Sequence, residues 1–147
     1  MQVLRLLPIA HEHMSVIRDD CAVIEAARRL SAPHTYLLIV CDHRGIAIGV
    51  VSKLDVVSHI SQCSGHACTI PVSAVMTKDV VACRPNDWLR DVWSVMKTRY
   101  LLCIPVLDAD RRPLGILYAR DLLQTLLKEV EDEETLLLDY VMSVGFH

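Results

Sequence analysis

The sequence predicts an α/β fold of the α+β type, made of two β-α-β-β-α repeats related by a pseudo-twofold axis, with an added C-terminal helix. Three observations carry this. The chain matches itself at one interval, since Gly49 and Gly115, Asp55 and Asp121, Asp42 and Asp108, Val40 and Val106, and Arg18 and Arg84 are each 66 residues apart with no gap. Apolar residues recur at helical spacing at the same place in both halves. Apolar runs of strand length, bounded by polar turns, follow each of those helices.

Each half opens with a short extended piece, around Met14 to Ile17 and Val80 to Cys83. A helix follows, with Val23, Ala26, Ala27 and Leu30 at i, i+3, i+4 and i+7, and Leu89, Val92, Trp93 and Met96 repeat that face. Asp19 and Asp20 precede the first helix, and Pro85 and Asn86 the second, residue types that favour helix starts. The runs YLLIVC at 36–41 and LLCIPVL at 101–107 read as strands, each followed by a polar turn from Asp42 or Asp108. The next runs, IAIGVV and LGILY, each hold a glycine suited to close backbone approach. A last helix starts near Lys53 or Ala119, where Val56, Val57 and Ile60 are matched by Leu122, Leu123 and Leu126.

One unit of roughly 60 residues is marginal alone, whereas two can bury their apolar faces together. We therefore expect one body with a cleft between the repeats, bounded at 8–65 and 74–130. Residues 131–147 form an acidic segment and a helix. Glu129, Glu131, Asp132, Glu133 and Glu134 are expected to be a solvated stretch between helices. Leu136, Leu137, Tyr140 and Val141 have helical spacing and are expected to pack on the module or on a partner subunit.

Composition narrows the function classes. An apolar content of 52% with 5 Gly and 6 Pro describes a packed chain rather than a disordered one. No apolar run reaches the roughly 18 residues that span a bilayer, and the opening MQVLRLLPIAHEH lacks the charge and cleavage site of a secretory signal. A cytoplasmic protein is expected, with no membrane partner. The balance of 15 basic and 18 acidic residues gives no field that would draw nucleic acid, so no nucleic-acid partner is expected. Of the six cysteines, most lie in apolar runs and read as buried thiols. Cys63, His66 and Cys68 are the one local metal-like grouping, but no second cluster completes a four-ligand set. The His11-Glu12-His13 triplet lacks further ligands in the same way, and no metal is expected. No Ser-His-Asp order or phosphate-cradling glycine loop is present, so the chain does not read as an enzyme.

The stretch GVVSKLD, Gly49 to Asp55, admits two readings. Ser52 three residues ahead of Asp55 has the form of a capping box, which satisfies free N–H groups at a helix start. A hydroxyl and a carboxylate one turn apart also suit the phosphate and sugar of a nucleotide. The repeat bears on this choice. Asp121 persists in the second half although Tyr118 stands in place of the serine, so capping alone does not account for the acid.

The order of elements, the segment Ile104-Pro105-Val106-Leu107-Asp108, the Gly-h-h-[Ser/Thr]-x-x-Asp segment at 49–55 (h, hydrophobic) and the Met76-Thr77 opening of the second half resemble a tandem pair of CBS domains, a Bateman module. The resemblance covers roughly residues 8–130. It implies a regulatory module that binds an adenosyl ligand in clefts between the repeats, commonly as a homodimer, and passes a conformational change to a regulated protein that the sequence does not identify. AMP or ATP is the leading ligand, with ADP, NAD and S-adenosylmethionine also in the class. Carried over, the first cleft would use Ser52 and Asp55, with Val80, Val81, Leu102 and Cys103 around the base. The second would use Asp121, with Ser15, Val16, Tyr36 and Leu37. Two departures stand out: Tyr118 replaces the motif Ser or Thr, where it either blocks the phosphate position or stacks on a ligand, and Ile39 replaces the proline of the first repeat. Lys53 and Arg120 flank the motifs and read first as solvated side chains. The alternative is a ligand-free dimerisation scaffold with vestigial clefts.

Overall fold

The computed structural model describes residues 1–61 and 69–145, so the Cys63, His66, Cys68 grouping lies outside the described residues. A 3-10 turn, Val3–Leu6, leads into α1 (Leu7–Glu12), an element the repeat pattern did not reveal. The first repeat then follows as β1 (Val16–Arg18), α2 (Val23–Leu30), β2 (Leu37–Cys41), β3 (Ala47–Ser52) and α3 (Lys53–Ser61). The second consists of α4 (Leu89–Arg99), β4 (Cys103–Leu107), β5 (Pro113–Tyr118) and α5 (Ala119–Gly145).

β1 runs parallel to β2, pairing Val16 with Ile39, and β2 runs antiparallel to β3, pairing Leu37 with Ser52. β4 and β5 pair the same way, Cys103 opposite Tyr118. The expected strand at Val80 to Cys83 is reduced to one parallel bridge between Cys83 and Val106, the counterpart of the Ile17 and Val40 pair. Both helix starts fall later than Asp19 and Pro85 suggest, and neither has a side-chain cap. Main chain takes over that role: the Val23 N–H donates to the Ile70 carbonyl and the Leu89 N–H to the Met1 carbonyl, each at 2.9 Å. A buried helix end must satisfy its free N–H groups somewhere, and here the segment leading into one repeat serves the other.

That exchange organises the core. Val3, Leu6 and Ala10 pack with Leu89, Met96, Ile104 and Leu117 of the second repeat, while Val72 packs with Val23, Leu38 and Val51 of the first. The glycines make the crossings possible. A Cβ on Gly115 would lie 2.5 Å from the Ala10 carbonyl carbon, and one on Gly49 would lie 2.6 Å from the Met76 sulfur. The two sheets meet through Ile39, Cys41 and Ala47 against Leu107, Ile116 and Tyr118, which puts the clefts at the seam between repeats.

The C-terminal region departs from expectation. α5 is one helix of 27 residues that runs straight through the acidic segment, so no break separates the repeat from an added helix. Glu and Lys are good helix formers, and a charge run without Gly or Pro gives a helix no reason to stop. Leu136, Leu137, Tyr140 and Val141 are 55–69% exposed and do not pack against this chain. No helix among the described residues is long and apolar enough to cross a membrane.

Candidate functional site

The first cleft lies where β3 turns into α3. Ser52 ends β3 and its hydroxyl accepts the Asp55 N–H at 3.3 Å, while Asp55 Oδ2 accepts from the Ser52 N–H at 2.9 Å and the Ser52 hydroxyl at 3.1 Å. The capping box is therefore formed, with Asp in the place usually held by Glu. It uses one carboxylate oxygen. Asp55 Oδ1 has only the long contact from the Thr77 hydroxyl at 3.4 Å, which is shared with Oδ2.

A cavity of about 210 Å³ opens beside this pair, with Leu37, Val50, Val81, Leu101, Cys103 and Pro105 as apolar walls and Ser52, Asp55, Thr77 and Asp79 as polar groups. Apolar walls with a few convergent polar groups are the usual make-up of a small-molecule site. Burial pushes the Cys103 thiol up to about 11, so it stays protonated and serves as wall. Burial likewise pushes Cys83 to about 12 and Cys41 to about 11, in keeping with the reading of buried, inert thiols.

Four of the residues expected in the first cleft line this cavity: Ser52, Asp55, Val81 and Cys103. Val80 and Leu102 do not. Leu102 lines a separate cavity of about 210 Å³ with His34, Tyr36, Tyr118, Ala119 and Arg120. Side chains alternate across a strand entry, so the neighbour of Cys103 points the other way. Leu37, expected in the second cleft, lines the first for the same reason of side.

The second cleft is differently furnished. Tyr118 is 7% exposed and its hydroxyl donates to the His34 carbonyl at 2.6 Å. Burial raises its pKa, so the phenol stays neutral. The His13 imidazole stacks on the Tyr118 ring at 4.3 Å with an interplanar angle of 11°, and Tyr36 meets that ring edge-on at 5.8 Å. His13 Nε2 lies 3.4 Å from Asp121 Oδ2, without the alignment of a hydrogen bond, and that oxygen is buried with no hydrogen-bond partner. Of the other expected residues, Val16 packs into the seam and Ser15 presents its carbonyl to the Ile39 N–H. Lys53 sits over the Tyr36 ring, 5.3 Å from its centre, and does not line the first cleft. His11 donates from Nδ1 to the Leu114 carbonyl at 3.2 Å, so the two histidines of the N-terminal triplet serve different contacts.

A family model for the CBS domain matches residues 72–128. The crystal structure of the CBS-domain containing protein ATU1752 from Agrobacterium tumefaciens is 25% identical with a TM-score of 0.71, covering 84% of this chain and 91% of that one. Residues 72–128 are a CBS domain. The CBS domain pair of protein MJ0100, solved in complex with 5′-methylthioadenosine and S-adenosyl-L-methionine, shares the fold at 19% identity and a TM-score of 0.71, covering 88% of this chain and 98% of that one. Among curated relatives, an uncharacterized 17.7 kDa protein of Acidianus ambivalens is 25% identical over 119 residues, 81% of this CBS-domain chain and 71% of that protein. The chain spans a smaller part of two others. It covers 22% of a homoserine O-acetyltransferase of Methanohalobium evestigatum, at 25% identity over 76% of this chain. It covers 45% of the cytosolic domain of the Mg2+ channel MgtE in complex with ATP, at 24% identity, a TM-score of 0.65 and 77% of this chain.

Sequence reasoning missed Thr77 as a partner of Asp55, and Asp79, Leu101 and Pro105 as lining. The 66-residue interval held the signal for one of them: it relates Asp79 to His13, the residue beside the second motif aspartate.

Proposed function

We propose that the first cleft of this CBS pair binds an adenosyl ligand and that occupancy regulates a partner protein, without catalysis by the module. The observation that carries this is the division of labour at Asp55, a residue lining the cavity, whose Oδ2 is taken by the cap while Oδ1 has one long contact. A carboxylate oxygen so placed accepts from a ribose hydroxyl in a charge-assisted bond. The apolar walls suit a flat base, and the MJ0100 pair holds two adenosyl compounds in the same fold.

Charge refines the ligand class. Asp55 and Asp79 both line the cavity, and none of its lining residues is cationic. Two carboxylates in one small cavity repel a polyphosphate, which ranks a neutral or cationic adenosyl compound, methylthioadenosine or S-adenosylmethionine, above the AMP or ATP that the resemblance implies.

Isothermal titration with AMP, ATP, methylthioadenosine and S-adenosylmethionine tests the reading. Asp55→Asn is expected to weaken binding roughly 10- to 100-fold, the scale of a hydrogen bond to a charged group, with little change in melting temperature. Ser52→Ala is expected to cost about 1 kcal/mol of stability as a lost cap. No heat or thermal shift from any of the four compounds at millimolar concentration would refute ligand binding. The homodimer belongs to the same proposal: Leu54 and Val57 on α3 and Leu127 and Val130 on α5 are exposed apolar residues with no partner in this chain that buries them.

A further inference from the structure

We propose that the second cleft is occupied by the chain's own His13 in the place of a flat ligand, so that an adenosyl ligand fills the first cleft in preference to the second. Three contacts converge on this imidazole and its surroundings. It lies face to face on Tyr118 at 4.3 Å, its Nε2 is 3.4 Å from the carboxylate of Asp121, and Tyr118 is itself fixed by its bond to the His34 carbonyl. A stacked ring beside the motif aspartate is the arrangement a bound base and ribose would need, met here by a side chain.

The repeat makes the substitution visible. His13 and Asp79 are 66 residues apart, as are Asp121 and Asp55. In the first cleft the position before the extended segment carries Asp79, which leaves a cavity beside Asp55. In the second it carries an imidazole, and Tyr118 rather than Ser52 supplies a ring for it to stack on. Asp121 Oδ2 is left buried without a hydrogen bond, an acceptor that costs free energy as it stands.

His13 caps the C-terminal end of α1, whose N–H to carbonyl bond from His13 to Ile9 and crossing at Gly115 fix the backbone nearby. The occupant is therefore tethered, present at high effective concentration, and a competing ligand binds only the fraction of molecules in which the ring has swung out. A stack of this type lowers apparent affinity at the second cleft by up to about tenfold.

The ligand arm of the test rests on the adenosyl reading of the first cleft; the imidazole arm does not. In carbon-resolved NMR of the free protein, the His13 ring protons, assigned by their loss in His13→Ala, are expected upfield through shielding by Tyr118. An unshielded His13 overturns the proposal whatever binds. Calorimetry with S-adenosylmethionine and methylthioadenosine then compares Asp55→Asn with Asp55→Asn/His13→Ala and Asp55→Asn/His13→Ala/Tyr118→Thr. Binding restored by removing His13, or His13 and Tyr118 together, supports the proposal. Failure to restore it with a compound that wild type binds, in variants whose circular dichroism is native, overturns it. If wild type binds none of the compounds, the first-cleft reading falls, and the shielding of His13 alone decides whether the plug exists.

Discussion

Asp42 and Asp108, one interval apart in the repeat, hold turns together. Asp42 Oδ1 accepts from the N–H groups of Arg44 at 2.9 Å and Ile46 at 3.1 Å, and Asp108 Oδ1 from Asp110 at 2.9 Å and Arg112 at 2.8 Å. This is the side-chain mimicry that makes Asp common in turns. Burial pushes the Asp42 carboxyl up, but the two N–H donors and the Arg44 guanidinium outweigh it and hold the group below its ordinary 3.8. The folded chain thus binds this proton less tightly than the unfolded chain. Its stabilisation is complete above the unfolded value and is lost as pH falls through the lower folded value. Asp42→Asn is expected to be destabilising relative to wild type at about pH 6 and less so at about pH 3, by urea unfolding. An equal deficit at both pH values would mean that the charge is irrelevant.

At the scale of elements, the decisive contacts are two crossings that look alike in sequence and differ in what they press against. The three atoms nearest the Gly115 Cβ position are all main chain, the Ala10 carbonyl carbon and oxygen and the His11 nitrogen, within 2.8 Å. At Gly49 the nearest atoms are Sδ and Cγ of Met76, with the Thr77 carbonyl at 2.9 Å. A methionine side chain can repack, whereas α1 must shift as a body. Gly115→Ala is expected to cost about 1–3 kcal/mol or more, and Gly49→Ala less, by thermal or chemical denaturation. A larger loss at Gly49 would contradict this packing. Further along, α5 extends about 40 Å at 1.5 Å per residue, and its second half is exposed on every described residue. Helical segments of that length are marginal in water without packing, so the end of α5 is the element that gains most from a partner subunit.

For the whole molecule, the exchange of lead-in segments means that neither repeat is complete alone. α1 closes the second repeat and Val72 to Thr77 closes the first, with Thr77 pairing back to Val50. The turns are also tied, since Arg112 donates to the Arg44 carbonyl and the Ala47 N–H to the Arg111 carbonyl, each at 2.9 Å. Exposed apolar residues on α3 include Leu54, Val57 and Ile60, and on α5 Leu123, Leu127 and Val130. Sedimentation velocity is expected to find a dimer that Val57→Glu and Leu127→Glu together dissociate, because burying two uncompensated carboxylates per chain costs more than the interface gains. A monomer at tens of micromolar would rule this out.

The repeat, its two faces of buried helix residues, the β2–β3 and β4–β5 hairpins and the pairing of Ser52 with Asp55 were legible from the chain because each depends on local spacing, and the interval of 66 residues showed every such pattern twice. α5 is continuous through the charge run where a break is expected, because nothing in that run opposes a helix. Which of Leu37 and Leu102 faces which cleft, and the contact of Thr77 with Asp55, depend on how one sheet turns against the other. Tertiary structure alone decided that His13 comes to rest on Tyr118 beside Asp121. Residues more than a hundred positions apart meet there because α1 crosses β5 at a glycine, and local spacing along the chain carries no record of such a crossing.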